Sequence, residues 1–222
     1  PGVQTDTFES KYLGLPTPEG RMKDEQFQPI MDRFSKRCSD WSENFMSFAV
    51  KEVHVKSVVQ GIPTYIMSVF MLSKGFCEKY ERMIRDFWWG DEEGHRTVHW
   101  MSWERMTKPK RADGIGFRDM HLFNQALLAK QGWRLIQNPD SLCARVLKSK
   151  YYPNGNLLDT VFASNASPVW RAIEFGLPLL KKGLIWRIGD GRNIQIQQDQ
   201  WLPRREGLLT AAFIRRTRLR WV

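Results

Sequence analysis

From Lys23 onward the apolar residues recur every three or four positions, and no other feature of the sequence constrains its fold as much. Phe27, Ile30, Met31, Phe34, Cys38, Trp41 and Phe45 fall on one stripe of a helix, while Lys23, Asp24, Gln28, Asp32, Arg33 and Lys36 fall on the opposite one. The same period returns over Lys51–Leu72 through Val55, Val58, Val59, Ile62, Ile66, Val69 and Phe70, where Pro63 should kink or split the helix. A third stretch, about Lys74 to Trp89, places Phe76, Tyr80, Met83, Ile84 and Phe87 on one side until Gly90 ends it. A basic, loop-rich stretch from Trp103 to Asp119, with Pro109, Gly114 and Gly116, interrupts the pattern. Leu122, Phe123, Ala126, Leu127, Trp133, Leu135 and Ile136 then resume it. A shorter helix follows over Ser141–Tyr151, and another over Val169–Leu180 with Ser167 as its cap. The expected fold class is mainly α.

Two stretches depart from the helical period. Lys11–Pro16 is a short β-type run stopped by Gly14 and Pro16, with a turn after it. Beyond Gly183, Leu184–Ile188 meets Gly189-Asp190-Gly191, and Asn193–Gln197 alternates with period two. That pattern predicts a β-hairpin with Ile194 and Ile196 turned inward. The chain divides into a strand-bearing start (1–20), a helical bundle (21–102), a second helical region (103–182), the hairpin (183–203) and a basic tail (204–222). A length of 222 residues, 42% hydrophobic with ten Trp, is enough for packed cores. Three widely spaced cysteines suggest neither a disulfide framework nor a zinc cluster. They fit a reducing, intracellular setting, nucleus or cytoplasm. No run is long and apolar enough for a membrane span and no signal peptide is evident, so no membrane partner is expected. A start at Pro1 suggests a fragment.

Charge is the main pointer to function. The net formal charge is +10, but residues 1–103 carry −2 and residues 104–222 carry +12, with +5 in the tail from Arg204 to Arg220. A folded face with that excess attracts phosphate by releasing counterions; the competing reading is a surface that is merely soluble. Candidate phosphate contacts are Lys108, Lys110, Arg111 and Arg118 in the loop, Lys130 and Arg134 one turn apart on a helix, Lys148 and Lys150 at a helix end, and Arg215 and Arg216 in the tail. For Lys148 and Lys150, stabilisation of the helix dipole is an equal alternative.

Catalytic signatures are missing from the sequence. It has no nucleophile elbow and no phosphate-binding glycine loop, and the Gly114-Ile115-Gly116 run reads as a turn. His95 and His99 stand near Asp91, Glu92 and Glu93 without a metal-ligand spacing, so no metal site is assigned there. Trp88, Trp89, Trp100 and Trp103 are read as core rings; an exposed ring beside the basic loop would instead be a surface for stacking bases.

Seven runs, taken in order, resemble the region after the polymerase core of plant LINE-type (non-LTR) retrotransposon reverse transcriptases. They are KYLGLP, FQPIMDRFSKRCSDW, KSVVQGIPTYIMSVFML, FWWGDEEGHRTVHWMSW, KPKRADGIGFRDMHLFNQALLAKQGWRL, SPVWRAI and WRIGDGRNIQIQQDQWLP, and together they cover most of Lys11–Pro203. The resemblance implies that the first strand leaves the catalytic palm near the primer grip and that the helices up to about Ser102 form a thumb. The later helices and hairpin would be a connector leading toward a zinc-binding domain.

The parent activity would be RNA-directed DNA synthesis, with RNA, DNA or an RNA–DNA hybrid and the palm as partners. Its magnesium-binding carboxylates would lie upstream: two-metal phosphoryl transfer needs them, and this chain has no adjacent Asp pair. The fragment is therefore expected to grip template and primer without catalytic residues or a cofactor of its own. The alternative is a non-enzymatic helical interaction domain or the product of a decayed element. Val50, His54, Ser73 and Asp113 depart from the family pattern, which usually has Gly, an aliphatic residue, Pro and Gly there.

Overall fold

Gly14 lets the chain reverse direction almost at once. In the computed structural model the described residues are 11–18, 22–42, 46–90, 97–160, 162–163 and 165–185. Leu13 (φ 50°) and Gly14 (φ 78°) both lie in the left-handed region, so Lys11–Pro16 is not one strand but a minimal hairpin of β1 (Lys11–Tyr12) and β2 (Leu15–Pro16). The strands are antiparallel, Lys11 opposite Pro16 and Tyr12 opposite Leu15. The Tyr65 hydroxyl donates to the Leu13 carbonyl at 3.1 Å and holds the turn.

Everything else with regular structure among the described residues is helical, as the period required. A 3-10 turn, Asp24–Phe27, leads into α1 (Gln28–Ser42), whose inward stripe of Phe27, Ile30, Met31 and Phe34 is at most 3% exposed. The polar stripe faces out; the side chain of Trp41 and all of Phe45 lie outside the described residues. The second expected helix is broken, as Pro63 allowed, into α2 (Phe48–Ser57), a 3-10 turn at Val59–Gly61 and α3 (Thr64–Met67). α4 (Lys74–Trp89) starts where Ser73 Oγ accepts the Phe76 N–H at 3.0 Å and ends at Gly90, φ 77°. It buries Phe76, Cys77, Tyr80, Glu81, Ile84 and Trp88, while Met83 and Phe87 are only half-buried. Tyr80 donates to the Val59 carbonyl at 2.7 Å, and Phe34 meets its ring edge-on at 5.2 Å.

A short α5 (Trp103–Met106) precedes the basic loop. α6 (Met120–Gln137) follows, capped by Asp119, whose carboxylate accepts the Leu122 N–H at 2.8 Å. Its apolar periodicity identified the helix but not its buried face. Leu122, Ala126 and Trp133 point outward, while Met120, Asn124, Leu128, Gly132 and Leu135 point inward. Packing decided this. Asn124, fully buried, bonds the backbone at the end of α3. On the same inward side of α6, a Cβ at Gly176 of α8 would collide with the backbone of Leu128 and Ala129, which only glycine permits.

α7 (Leu142–Tyr151) is capped by Ser141 and α8 (Pro168–Gly183) by Ser167, whose Oγ accepts the Trp170 N–H at 3.3 Å. Trp170 is 1% exposed, stacked by Tyr151 at 4.4 Å, Phe162 at 5.0 Å and Tyr152 at 5.7 Å. One hydrophobic core draws on helices from both sides of Ser102, joining Phe27, Val59, Tyr80 and Ile84 to Met106, Phe117 and Met120. The described residues up to Pro178 belong to one compact unit, and Leu179 begins a second. Of the C-terminal hairpin, Leu184 and Ile185 are described and are in no strand; the rest lies outside the described residues, as does the basic tail. Among the described residues no helix is long and apolar enough to cross a membrane.

Candidate functional site

The basic loop is built on a single carbonyl. Met106, fully buried, accepts the backbone N–H groups of Ile115, Gly116 and Phe117 at 3.2, 3.0 and 3.1 Å, folding residues 107–117 into a tight cap over the end of α5. Gly114 is required there, because a Cβ would run into the Lys108 carbonyl. Asp113 (φ 58°) and Gly116 (φ 81°) take left-handed backbone to close the turn.

The loop is also clamped to α2. Glu52 accepts from Lys56 and from Lys110, each at 2.7 Å, and Lys56 also donates to the Ile115 carbonyl at 2.6 Å. The Lys110 and Lys56 ammonium groups hold the Glu52 carboxyl below its usual range.

Within this frame the candidate cations divide. Lys108, Lys110, Arg111, Arg118, Lys130, Arg134, Lys148 and Lys150 are all exposed. Lys110 is committed to Glu52, the Arg118 guanidinium lies 4.6 Å from the centre of the Phe123 ring, and the Lys150 ammonium lies 5.3 Å from that of Tyr151. Arg134 donates to the Gln131 side-chain oxygen at 3.3 Å. Lys108, Arg111, Lys130 and Lys148 have no ion-pair or ring partner among the described residues. Lys130 and Arg134 share the outward face of α6 with Leu122 and Trp133. Arg215 and Arg216 lie outside the described residues.

The tryptophan cluster is not uniformly core. Trp88 is buried and Trp89 and Trp103 are half-buried, but Trp100 is 82% exposed. Its neighbours explain the orientation: His99 stacks on Trp89 at 5.8 Å and Met101 packs against the core, leaving the ring between them outside. Asp91, Glu92, Glu93 and His95, where no metal site is assigned, lie outside the described residues, among which no group of three or more metal-ligating side chains occurs.

A cleft of about 810 Å³ opens between the end of α3 and helices α6, α7 and α8. No local sequence pattern marks it, because its walls come from three stretches far apart in the chain.

No family model matches the chain. An Arabidopsis thaliana protein named "Uncharacterized mitochondrial protein" is 41% identical over 142 residues, 64% of this chain and 92% of that protein. A second Arabidopsis thaliana protein, named "Putative ribonuclease H protein", is 32% identical over 192 residues, 85% of this chain. The chain spans 31% of that second relative's length. By the extent of the first match, the chain belongs to the family of the Arabidopsis mitochondrial protein.

Proposed function

We propose that the chain is a retroelement-derived helical segment that grips the sugar-phosphate backbone of template and primer for an RNA-directed DNA polymerase whose catalytic carboxylates lie outside it. The carrying observation is the clamped loop. Glu52 and Lys56 fix its backbone, and Lys108 and Arg111 project from it exposed and without an ion-pair partner among the described residues. Cations on a rigid frame meet phosphate with little ordering cost, and their contacts position a strand without reading its sequence. The exposed Trp100 adds a face on which an unpaired base can stack. Supporting the reading from outside, the longer relative carries the name of a nuclease. The ordered resemblance of seven sequence runs to plant non-LTR reverse transcriptases supplies the polymerase context.

The test is binding of a labelled RNA–DNA hybrid at low salt by the parent and by a Lys108→Gln/Arg111→Gln/Lys130→Gln variant. A loss of about tenfold or more is expected, and equal affinity overturns the reading. The purified chain is also expected to leave a primed template unextended in the presence of deoxynucleotides. A second reading, a protein-contact module, draws on Leu142 and Val146, which lie one turn apart on α7 and are 76% and 54% exposed. In that case the triple variant would bind hybrid like the parent, and Leu142→Glu would abolish association with a protein partner.

A further inference from the structure

We infer that the cleft between α6, α7 and α8 receives one unpaired nucleobase of a strand whose phosphates lie on Lys130 and Arg134. The inference rests on the nucleic-acid reading above and gives it a site for a base.

Size and lining point to a small flat ligand. About 810 Å³ lies within the range of small-molecule sites. Leu128, Leu135, Leu147, Val169 and Ile173 form an apolar wall able to sandwich a ring. A purely apolar ligand would leave the rim unused. Gln131 has its side-chain oxygen taken by Arg134, which leaves the amide N–H groups to donate. Asn138 donates to the Arg134 carbonyl at 3.5 Å, leaving its side-chain oxygen to accept, and the Asp140 carboxylate adds a second acceptor at the mouth. Amide donors and acceptors side by side are what the edge of a base requires.

The charge is complementary as well. Arg134 lines the cleft, and Lys130 stands one turn earlier on the same outward face of α6. A backbone held by those two cations would bring its base to the opening. Duplex bases are stacked and paired, so the ligand is single-stranded.

Cys143 is a built-in reporter, because it lines the cleft and is exposed. Cys77 is buried and Cys38 half-buried, and desolvation pushes both thiols up to about 12, so neither competes for alkylation near neutral pH. The experiment follows N-ethylmaleimide labelling of Cys143 in the full chain by mass spectrometry. It is run alone, with a single-stranded oligonucleotide, and with an abasic oligomer carrying the same number of phosphates, binding of each being measured in parallel.

The base-bearing strand is expected to slow labelling severalfold and the abasic one to bind without doing so. Filling the cleft with Leu147→Trp, in a variant shown to melt cooperatively, is expected to remove the protection while leaving duplex binding intact. Binding of both strands with equal protection, or with none, overturns the base site and leaves the phosphate grip standing. Failure of both strands to bind while an RNA–DNA hybrid binds overturns the base site alone, and failure of all three overturns the grip with it.

Discussion

The side chain of Asn124 accepts the backbone N–H of Leu72 at 2.9 Å, across 52 residues of sequence. Its amide nitrogen donates to the carbonyls of Met67 and Phe70 at 2.7 and 3.0 Å, so one fully buried residue of α6 satisfies three backbone groups where the chain leaves α3. Asn124→Leu would strand all three in an apolar interior. A destabilisation of about 3 kcal/mol or more is expected, read as a lower urea midpoint. A cost below about 1 kcal/mol would mean that water or a shifted backbone replaces the staple.

Glu81 is buried on α4, and its carboxylate accepts the Met120 N–H at 2.7 Å. Burial raises its pKa, against the opposing effect of that hydrogen bond. A carboxyl raised in the fold contributes stability fully below the ordinary carboxyl range, and that contribution is lost as pH rises through the folded value. Glu81→Gln keeps an acceptor without the charge. Its melting temperature should equal or exceed the parent's at pH 8, and the advantage should vanish in acid. Glu81→Ala leaves the Met120 N–H unpaired and should cost about 2 kcal/mol in thermal or urea unfolding at either pH.

Glu52 has the opposite sign. Its pKa is lowered by Lys110 and Lys56, so the stability it contributes is present above the ordinary carboxyl range and lost as pH falls through the lower folded value. Glu52→Gln should cost about 1 kcal/mol or less at pH 7 in a denaturant titration, because Lys110 is well exposed. The same change frees Lys110. Hybrid binding at low salt should tighten, with a salt slope steeper by about one contact. Unchanged binding would make Lys110 a purely structural clamp.

Asp113 holds φ 58° at the close of the basic loop, a backbone that glycine adopts without a Cβ clash. Asp113→Gly is expected to stabilise by up to about 1 kcal/mol in thermal melts. A destabilisation instead would indicate that the Asp113 side chain has a local role in the turn.

The mainly helical fold was legible because its signals are local. The α1 stripe, the break at Pro63, the Gly90 stop and the Ser167 cap each rest on residues within a turn or two of one another. What could not be read depends on distant partners. Seven apolar side chains announced α6, yet Asn124 and Gly132 face inward while Leu122 and Trp133 face out, because the helix meets the end of α3 and Gly176. Lys11–Pro16 read as one strand because a leucine at φ 50° is not expected from its residue type. At the candidate site the cations were visible in the sequence. That Lys110 is tied to Glu52, 58 positions earlier, and that Trp100 is the outward ring, came only from the fold.

The phosphate grip is tested most directly by the salt dependence of hybrid binding. The logarithm of the association constant should fall linearly with the logarithm of salt concentration, with a slope of about −0.9 per phosphate neutralised. If Lys108, Arg111, Lys130, Arg134 and Lys148 engage together, the slope should be about −4.5. Replacing Lys108 and Arg111 by Gln should make it shallower by about 2. A slope near zero, or one that those substitutions leave unchanged, would contradict the account.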